Sequence, residues 1–235
     1  MPPALVLPKP LKAIIFDVDG TLYRQSPLRR AMLVRLAREC LRHPAGGWKA
    51  SRLLQAYRRS HEELRDRRVE NLADEQLSMA CKKAGADPGE ARKCLQVWFE
   101  EAPLDLLGSV ARPGVHEFLE KARTAELLLG VFSDYPAHRK LEAMGVSRFF
   151  TSVRWAQQPE IGELKPSPKG IQAALESLGV NTAEAIYVGD RPSVDGEAAR
   201  RAGLPAVIVG VDRQASGDGW TGVADFYELA RLLGL

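Results

Sequence analysis

The sequence predicts an α/β fold: a doubly wound, mainly parallel sheet with an all-helical segment inserted after the first strand. Three observations lead there. The runs at 13–18 (AIIFDV), 127–132 (LLLGVF), 185–189 (AIYVG) and 206–211 (AVIVGV) are apolar throughout rather than alternating, as strands buried on both faces of a parallel sheet are. Stretches of helical spacing separate the later runs, so strands and helices alternate and right-handed crossovers are expected. Residues 22–107 hold no strand-like run and are dominated by helix formers.

The opening MPPALVLPKP is apolar but broken by prolines at 2, 3, 8 and 10. It has no basic stretch followed by a continuous apolar one, so it reads as a loose, extended leader and not as a signal peptide. The first strand runs into Asp17, Asp19 and Gly20. The helical segment after it carries 17 Lys/Arg against 12 Asp/Glu, a net charge of +5, whereas the rest of the chain carries −2. Later helices are expected at 114–123, 137–145, 167–179 and 195–203, the last three ending at Gly145, Gly179 and Gly203. The glycine-rich 216–223 (SGDGWTGV) is expected to be a surface loop before a final helix at about 225–233. The expected division is therefore 1–21 with 108–235 as one unit and 22–107 as another.

At 235 residues, with 45% apolar and 27% charged residues, the composition is that of an ordinary soluble globular protein. A net charge of +3 does not argue for nucleic acid. No apolar run approaches the roughly 18 residues that span a membrane. The three cysteines, Cys40, Cys81 and Cys94, are odd in number and lack metal-site spacing. They read as reduced, half-buried helix residues of a cytoplasmic protein.

Residues two apart in an extended chain project to one side, so Asp17 and Asp19 leave the carboxyl end of the first strand together. Open α/β sheets place their ligands at that end. Two neighbouring carboxylates repel unless they share a cation, and Mg²⁺ suits hard oxygen donors. A calcium loop starting at Asp17 would need Gly at its sixth position and Glu at its twelfth, but Leu22 and Leu28 stand there. No glycine-rich dinucleotide or nucleotide loop comes after any strand. An acidic turn with Gly20 supplying the unusual backbone angle is the alternative reading of this stretch alone. Other polar groups stand after the other apolar runs: Ser133 in VFSDYP, Lys165 in GELKPSP, and Asp190 and Asp195 in GDRPSVD. Each has a local explanation as a cap or a solvated charge. All would nevertheless collect at one edge of one sheet.

These residues resemble, in order, the four signature motifs of the haloacid-dehalogenase-like hydrolase superfamily: DVDGT from Asp17, then Ser133, Lys165 and GDRPSVD. RPGVHEFLEKAR resembles the segment that usually precedes the second motif. The helical insertion is similar to the cap of the phosphoglycolate-phosphatase and β-phosphoglucomutase type, which implies a Rossmann-like core with a cap domain. The resemblance implies an Mg²⁺-dependent phosphatase that hydrolyses a small phosphomonoester through an aspartyl-phosphate. Asp17 would be the nucleophile and Asp19 the proton donor and acceptor. Mg²⁺ would be held by the Asp17 carboxylate, the Asp19 backbone carbonyl and Asp190. Ser133, Asp134, Lys165 and Gly20 would surround the phosphate, with Lys165 contributing to catalysis. Asp195 would hold Lys165 or a metal-bound water from behind.

Asp134 departs from the family pattern, which often has Asn there, and an acid would repel an anionic substrate unless turned away. Arg191 is not required by the pattern and reads as a surface arginine or as a counter-charge to Asp134 or Asp195. Asp19 favours phosphoryl transfer over dehalogenation, which needs no acid two residues after the nucleophile. Phosphonoacetaldehyde hydrolysis would need a cap lysine, and only Lys49, Lys82 and Lys83 lie well inside the segment. A phosphosugar mutase and a catalytically idle binding protein are the alternatives. The arginine pairs 29/30, 58/59 and 67/68 are expected on the solvated face, and the stripe AMLVRLARECL in the cap core. Trp98 and Phe99 are expected to pack the segment together or against the core.

Overall fold

In the computed structural model, which describes residues 6–65, 67–212 and 215–235, the strand-like runs pair into one sheet. The elements in chain order are β1 (Ala13–Phe16), α1 (Gln25–Arg42), α2 (Pro44–Leu64), α3 (Leu72–Ala84), α4 (Pro88–Leu95), α5 (Leu104–Leu107), α6 (Val115–Thr124), β2 (Leu128–Ser133) and α7 (His138–Ala143). After these come β3 (Ser152–Trp155), α8 (Lys169–Leu178), β4 (Ala185–Gly189), α9 (Glu197–Ala202), β5 (Ala206–Val209), β6 (Ser216–Gly217), β7 (Trp220–Val223) and α10 (Phe226–Leu233). Of the expected leader, residues 1–5 lie outside the described residues, and 6–12 carry no helix or strand.

The strand order is β3-β2-β1-β4-β5-β7-β6, parallel except for the β6–β7 pair. The chain runs outward from β1 through β2 to β3, then returns to the other side of β1 for β4 and β5. The order reverses between β1 and β4, so the loops leaving their carboxyl ends diverge and open a crevice.

Period-two alternation divides the strand residues between two layers. Ile14, Phe16, Leu129, Val131, Ile186, Val188 and Val207 pack with Phe118 and Leu119 of α6 and Phe226 and Leu229 of α10. The rings of Phe16, Phe118 and Phe226 meet there at 5.5–6.3 Å between centroids. On the opposite face Ala13, Ile15, Phe132, Ala185, Tyr187 and Ala206 pack against Ile171 and Leu175 of α8 and Ala198 and Ala202 of α9. Both faces of the sheet are thus covered, which is why its strands read as continuous apolar runs.

The helices between β1 and β2 bury a small cluster of their own, including Leu53, Ala56, Leu77, Ala80 and Leu95. Asn71 caps α3 through the Asp74 amide, and Gly85 ends that helix at φ 62°. Asp87 caps α4 through the Gly89 and Glu90 amides. Leu64 and Leu72 leave this cluster and pack into the second face of the sheet's core, which seats the helical insertion on the sheet.

Two local expectations are corrected, and one strand, β3, has no counterpart in the sequence reading. The 216–223 stretch is not a plain loop: β6 and β7 pair antiparallel there, and β7 continues the parallel sheet beside β5. Its glycines hide it, because Gly222 is in a strand where an added Cβ would lie 2.4 Å from the Asp212 carbonyl. β3 (SVRW) lacks a continuous apolar run because it is an edge strand with an intermediate, half-covered burial pattern. The AMLVRLARECL stripe is largely uncovered: Leu33 and Leu41 are 64% and 83% exposed, and only Leu28 of α1 is buried. Only Leu28 and Met32 of α1 reach the core on the sheet side.

Candidate active site

The crevice between β1 and β4 collects the residues at the ends of the strands. Asp17 directly follows β1 and is 3% exposed. Its Oδ1 accepts from Lys165 Nζ at 2.5 Å and its Oδ2 from Thr21 Oγ1 at 2.9 Å. Lys165, 2% exposed, also donates to Asp195 Oδ1 at 2.8 Å and to the Tyr187 hydroxyl at 3.4 Å. The other oxygen of Asp195 accepts the amides of Asp190 and Arg191 at 3.1 and 2.9 Å, which fixes the turn after β4. Ser133 ends β2, fully buried, and its Oγ accepts the Tyr135 amide at 3.3 Å.

Carboxylate oxygens of Asp17, Asp190 and Asp195 lie within 4.8 Å of one another. Close backbone approach makes this possible. Gly20 has φ +107°, and a Cβ there would lie 2.2 Å from the Asp190 carboxylate. A Cβ at Gly189 would lie 2.3 Å from Asp195. Arg112 pins the Gly20 loop through two donations to the Gly20 carbonyl, at 2.9 and 2.7 Å.

One ammonium faces three carboxylates here, and the acidities show the imbalance. Burial, with Asp195, Asp190 and Asp19 adding to it against Lys165, pushes Asp17 up to about 7. Burial and the Asp195 charge push Asp190 up to about 6. Burial alone would depress Lys165, but Asp17 and Asp195 outweigh it and raise its pKa well above the usual lysine value. A buried set of hard oxygen donors with excess negative charge fits a divalent cation such as Mg²⁺.

Asp19 stands apart from that cluster. Lys140 of α7 donates to both of its carboxylate oxygens at 2.6 Å, and the Tyr23 hydroxyl donates to Oδ1. Its backbone carbonyl accepts Gln25 Nε2 at 2.5 Å. Burial would raise Asp19, but the Lys140 charge and the two side-chain hydrogen bonds outweigh it and hold the carboxyl below its ordinary value.

Asp134, expected around the phosphate, has its carboxylate turned towards the helical insertion. Its Oδ2 takes Arg65 Nη1 at 2.8 Å and lies 3.4 Å from His61 Nε2, while Oδ1 accepts the Lys165 amide at 3.1 Å. Burial would raise it, but Lys165, His61 and Arg65 hold it far below the usual carboxylate range. Arg191 lies 4.0 Å from Asp134 and 3.7 Å from Glu62, so it does serve as a counter-charge to Asp134. The six paired arginines are exposed, as solvated faces are. Phe99 packs on Tyr57 and Tyr135, at 5.2 and 4.8 Å. Burial pushes the Cys81 and Cys94 thiols up, away from the reactive thiolate.

Lys140, Tyr23, Arg65, His61 and Arg112 escape the sequence reading. Two local signals were present: Tyr23 lies four residues beyond Asp19, and Arg112 opens the RPGVHEFLEKAR segment.

Comparison with known proteins places this geometry. The model of the haloacid dehalogenase-like hydrolases matches residues 11–203. The chain belongs to the haloacid dehalogenase-like hydrolases. Among its curated relatives is the glyceraldehyde 3-phosphate phosphatase of Methanopyrus kandleri, 30% identical over 85% of this chain and 84% of that one. The phosphoglycolate phosphatase of Rhodospirillum rubrum is 28% identical over 84% of this chain and 79% of that one. Solved structures share the fold: 2-haloacid dehalogenase from Pseudomonas syringae pv. Tomato (24% identity, TM-score 0.67, 95% and 98% covered) and a haloacid-dehalogenase-family phosphatase from Thermococcus onnurineus (22%, 0.56, 95% and 98%). The hydrolase fold therefore serves both carbon–halogen and phosphate chemistry, and the side chains must decide between them. No helix among the described residues is long and apolar enough to cross a membrane.

Proposed function

We propose that this hydrolase is an Mg²⁺-dependent phosphatase of a small phosphomonoester, working through an aspartyl-phosphate on Asp17, with the helical insertion as a cap over the site. The observation that carries the reading is Asp19. A second carboxylate, two residues after the proposed nucleophile and held by Lys140 and Tyr23 outside the Asp17 cluster, would give the site a proton carrier. The phosphatase names of the full-length relatives support it.

In this mechanism an Asp17 oxygen attacks phosphorus and the substrate's ester oxygen leaves with a proton from Asp19. Water then attacks the phosphorus of the acyl phosphate and gives its proton to Asp19, freeing phosphate and Asp17. Asp19 thereby regains the proton that the next leaving oxygen needs. Lys165 opposes the charge that builds on the phosphoryl oxygens while keeping Asp17 aligned. The Ser133 hydroxyl and the Gly20 loop would contact the phosphoryl oxygens. Asp17 and Asp190 would hold Mg²⁺, with Asp195 keeping Lys165 and the turn after β4 in place. The ion, when bound, supplies positive charge that offsets repulsion between carboxylate and phosphate.

A panel of phosphorylated metabolites, including phosphoglycolate and glyceraldehyde 3-phosphate, assayed with Mg²⁺ beside Asp17→Asn, tests this. Phosphate release by the wild type and its loss in the variant are expected. Wild-type activity in the variant would sink the mechanism.

A further inference from the structure

The amide and the carbonyl of Lys165 are both bound by side chains, and among the described residues neither has a backbone partner. The amide donates to Asp134 Oδ1 at 3.1 Å and the carbonyl accepts Arg65 Nη1 at 2.8 Å. The same Nη1 donates to Asp134 Oδ2 at 2.8 Å, so the two side chains hold the Lys165 backbone on both sides of its Cα. Both are nearly buried, with 9% side-chain exposure each. Arg65 belongs to the helical insertion, one residue beyond α2, whereas Asp134 and Lys165 belong to the sheet's own loops.

We propose that Arg65 and Asp134 are positioning residues for Lys165, so that seating the helical insertion on the sheet is what aims the lysine at Asp17. This rests on the phosphatase reading above for its catalytic consequence. The guanidinium is not a spare anion receptor. Glu62 grips Nε at 2.6 Å and Nη2 at 3.0 Å from the other side, so every nitrogen of the fork is engaged. Its plane is therefore held by Glu62 on one side and by Asp134 and the Lys165 carbonyl on the other. His61 adds a second contact from the same insertion, 3.4 Å from Asp134 and stacked on Tyr135 at 4.4 Å. The acid that departs from the family's usual Asn thus has a use: a carboxylate accepts the lysine amide and the arginine together, and carries the charge that draws the arginine in. When the insertion lifts, Arg65 leaves, the Lys165 carbonyl loses its donor, and the Lys165 side chain loses the support that places it 2.5 Å from Asp17.

The test compares Arg65→Ala, Arg65→Lys and Asp134→Asn with the wild type, by kinetics and by amide hydrogen exchange. Arg65→Ala is expected to lower kcat by about tenfold to a hundredfold with KM within about twofold. Arg65→Lys, which can donate but cannot make the planar fork, should recover part of the loss. Exchange at the Lys165 amide should quicken in Arg65→Ala and Asp134→Asn, with β1 and β4 amides unchanged. If Arg65→Ala does not fold, the two volume-conserving variants decide. Wild-type kcat together with wild-type exchange at Lys165 overturns the proposal, and so does a rise in KM at constant kcat, which would mean substrate contact. A wild type that turns over no phosphoester overturns the phosphatase reading alone, because the exchange measurement still reports whether the pair holds Lys165.

Discussion

The ammonium of Lys140 lies 2.6 Å from each carboxylate oxygen of Asp19, with the Tyr23 hydroxyl on the same group. Held this way, the proposed proton carrier is biased towards its ionised form, the form that would accept a proton from water. In Lys140→Met the charge opposing burial is gone, so the Asp19 pKa rises. The acidic limb of the kcat profile should then move towards neutral pH, while Lys140→Arg keeps it in place. Parallel pH–kcat profiles in wild type and Lys140→Met would refute this.

The carboxylate cluster predicts a pH-dependent response to metal. Asp17 and Asp190 are raised to about 7 and about 6 in the folded chain, above their unfolded values. A raised carboxyl favours folding while protonated. That stability is complete below the unfolded pKa and is lost as pH rises through the folded one. Without a divalent cation the fold therefore weakens between about pH 4 and about pH 8 from this source. Mg²⁺ removes the repulsion but competes with protons at lower pH. Its effect on Tm should be larger at about pH 8 than at about pH 5.5, by about 2–4 °C for each kcal/mol of binding difference. Equal shifts at both pH values in thermal melts would contradict it.

Asp17→Asn separates activity from stability. Loss of the proposed nucleophile should cut kcat by about a thousandfold or more. Removing one of three carboxylates that share one lysine should raise Tm in metal-free buffer at about pH 8 relative to wild type. A lower Tm for the variant under those conditions would show that Asp17 is balanced by Lys165 alone.

Gly20→Ala probes the close approach that forms the cluster. Its Cβ would lie 2.2 Å from Asp190, in a backbone conformation of φ +107°. Displacement of Asp190 should weaken Mg²⁺ binding by about tenfold to a hundredfold, read by calorimetric titration. Strain in the loop should cost about 1–3 kcal/mol in a denaturation curve. Unchanged Mg²⁺ affinity would mean that Asp190 is not a ligand.

The sheet was largely legible in the chain because its central strands are buried on both faces and so are apolar at every position, as AIIF in β1 and AIYVG in β4 are. Edge position concealed β3, and glycine concealed β7. The gathering of Asp17, Lys165, Asp190 and Asp195 was legible too, since parallel strands deliver the residues at and beyond their carboxyl ends to one edge. Sequence alone determined that set and its order. Tertiary structure alone decided what balances it. Lys140, Arg65 and His61 sit on or at the end of helices where a charged or polar residue reads as a solvated face, and only the docking of those helices turns them inward. Asp134 is the sharpest case, because a carboxylate beside the proposed phosphate site is repulsive or useful according to which cation the fold brings to it. Here the fold brings Arg65 from the helical insertion, 69 residues away in the chain.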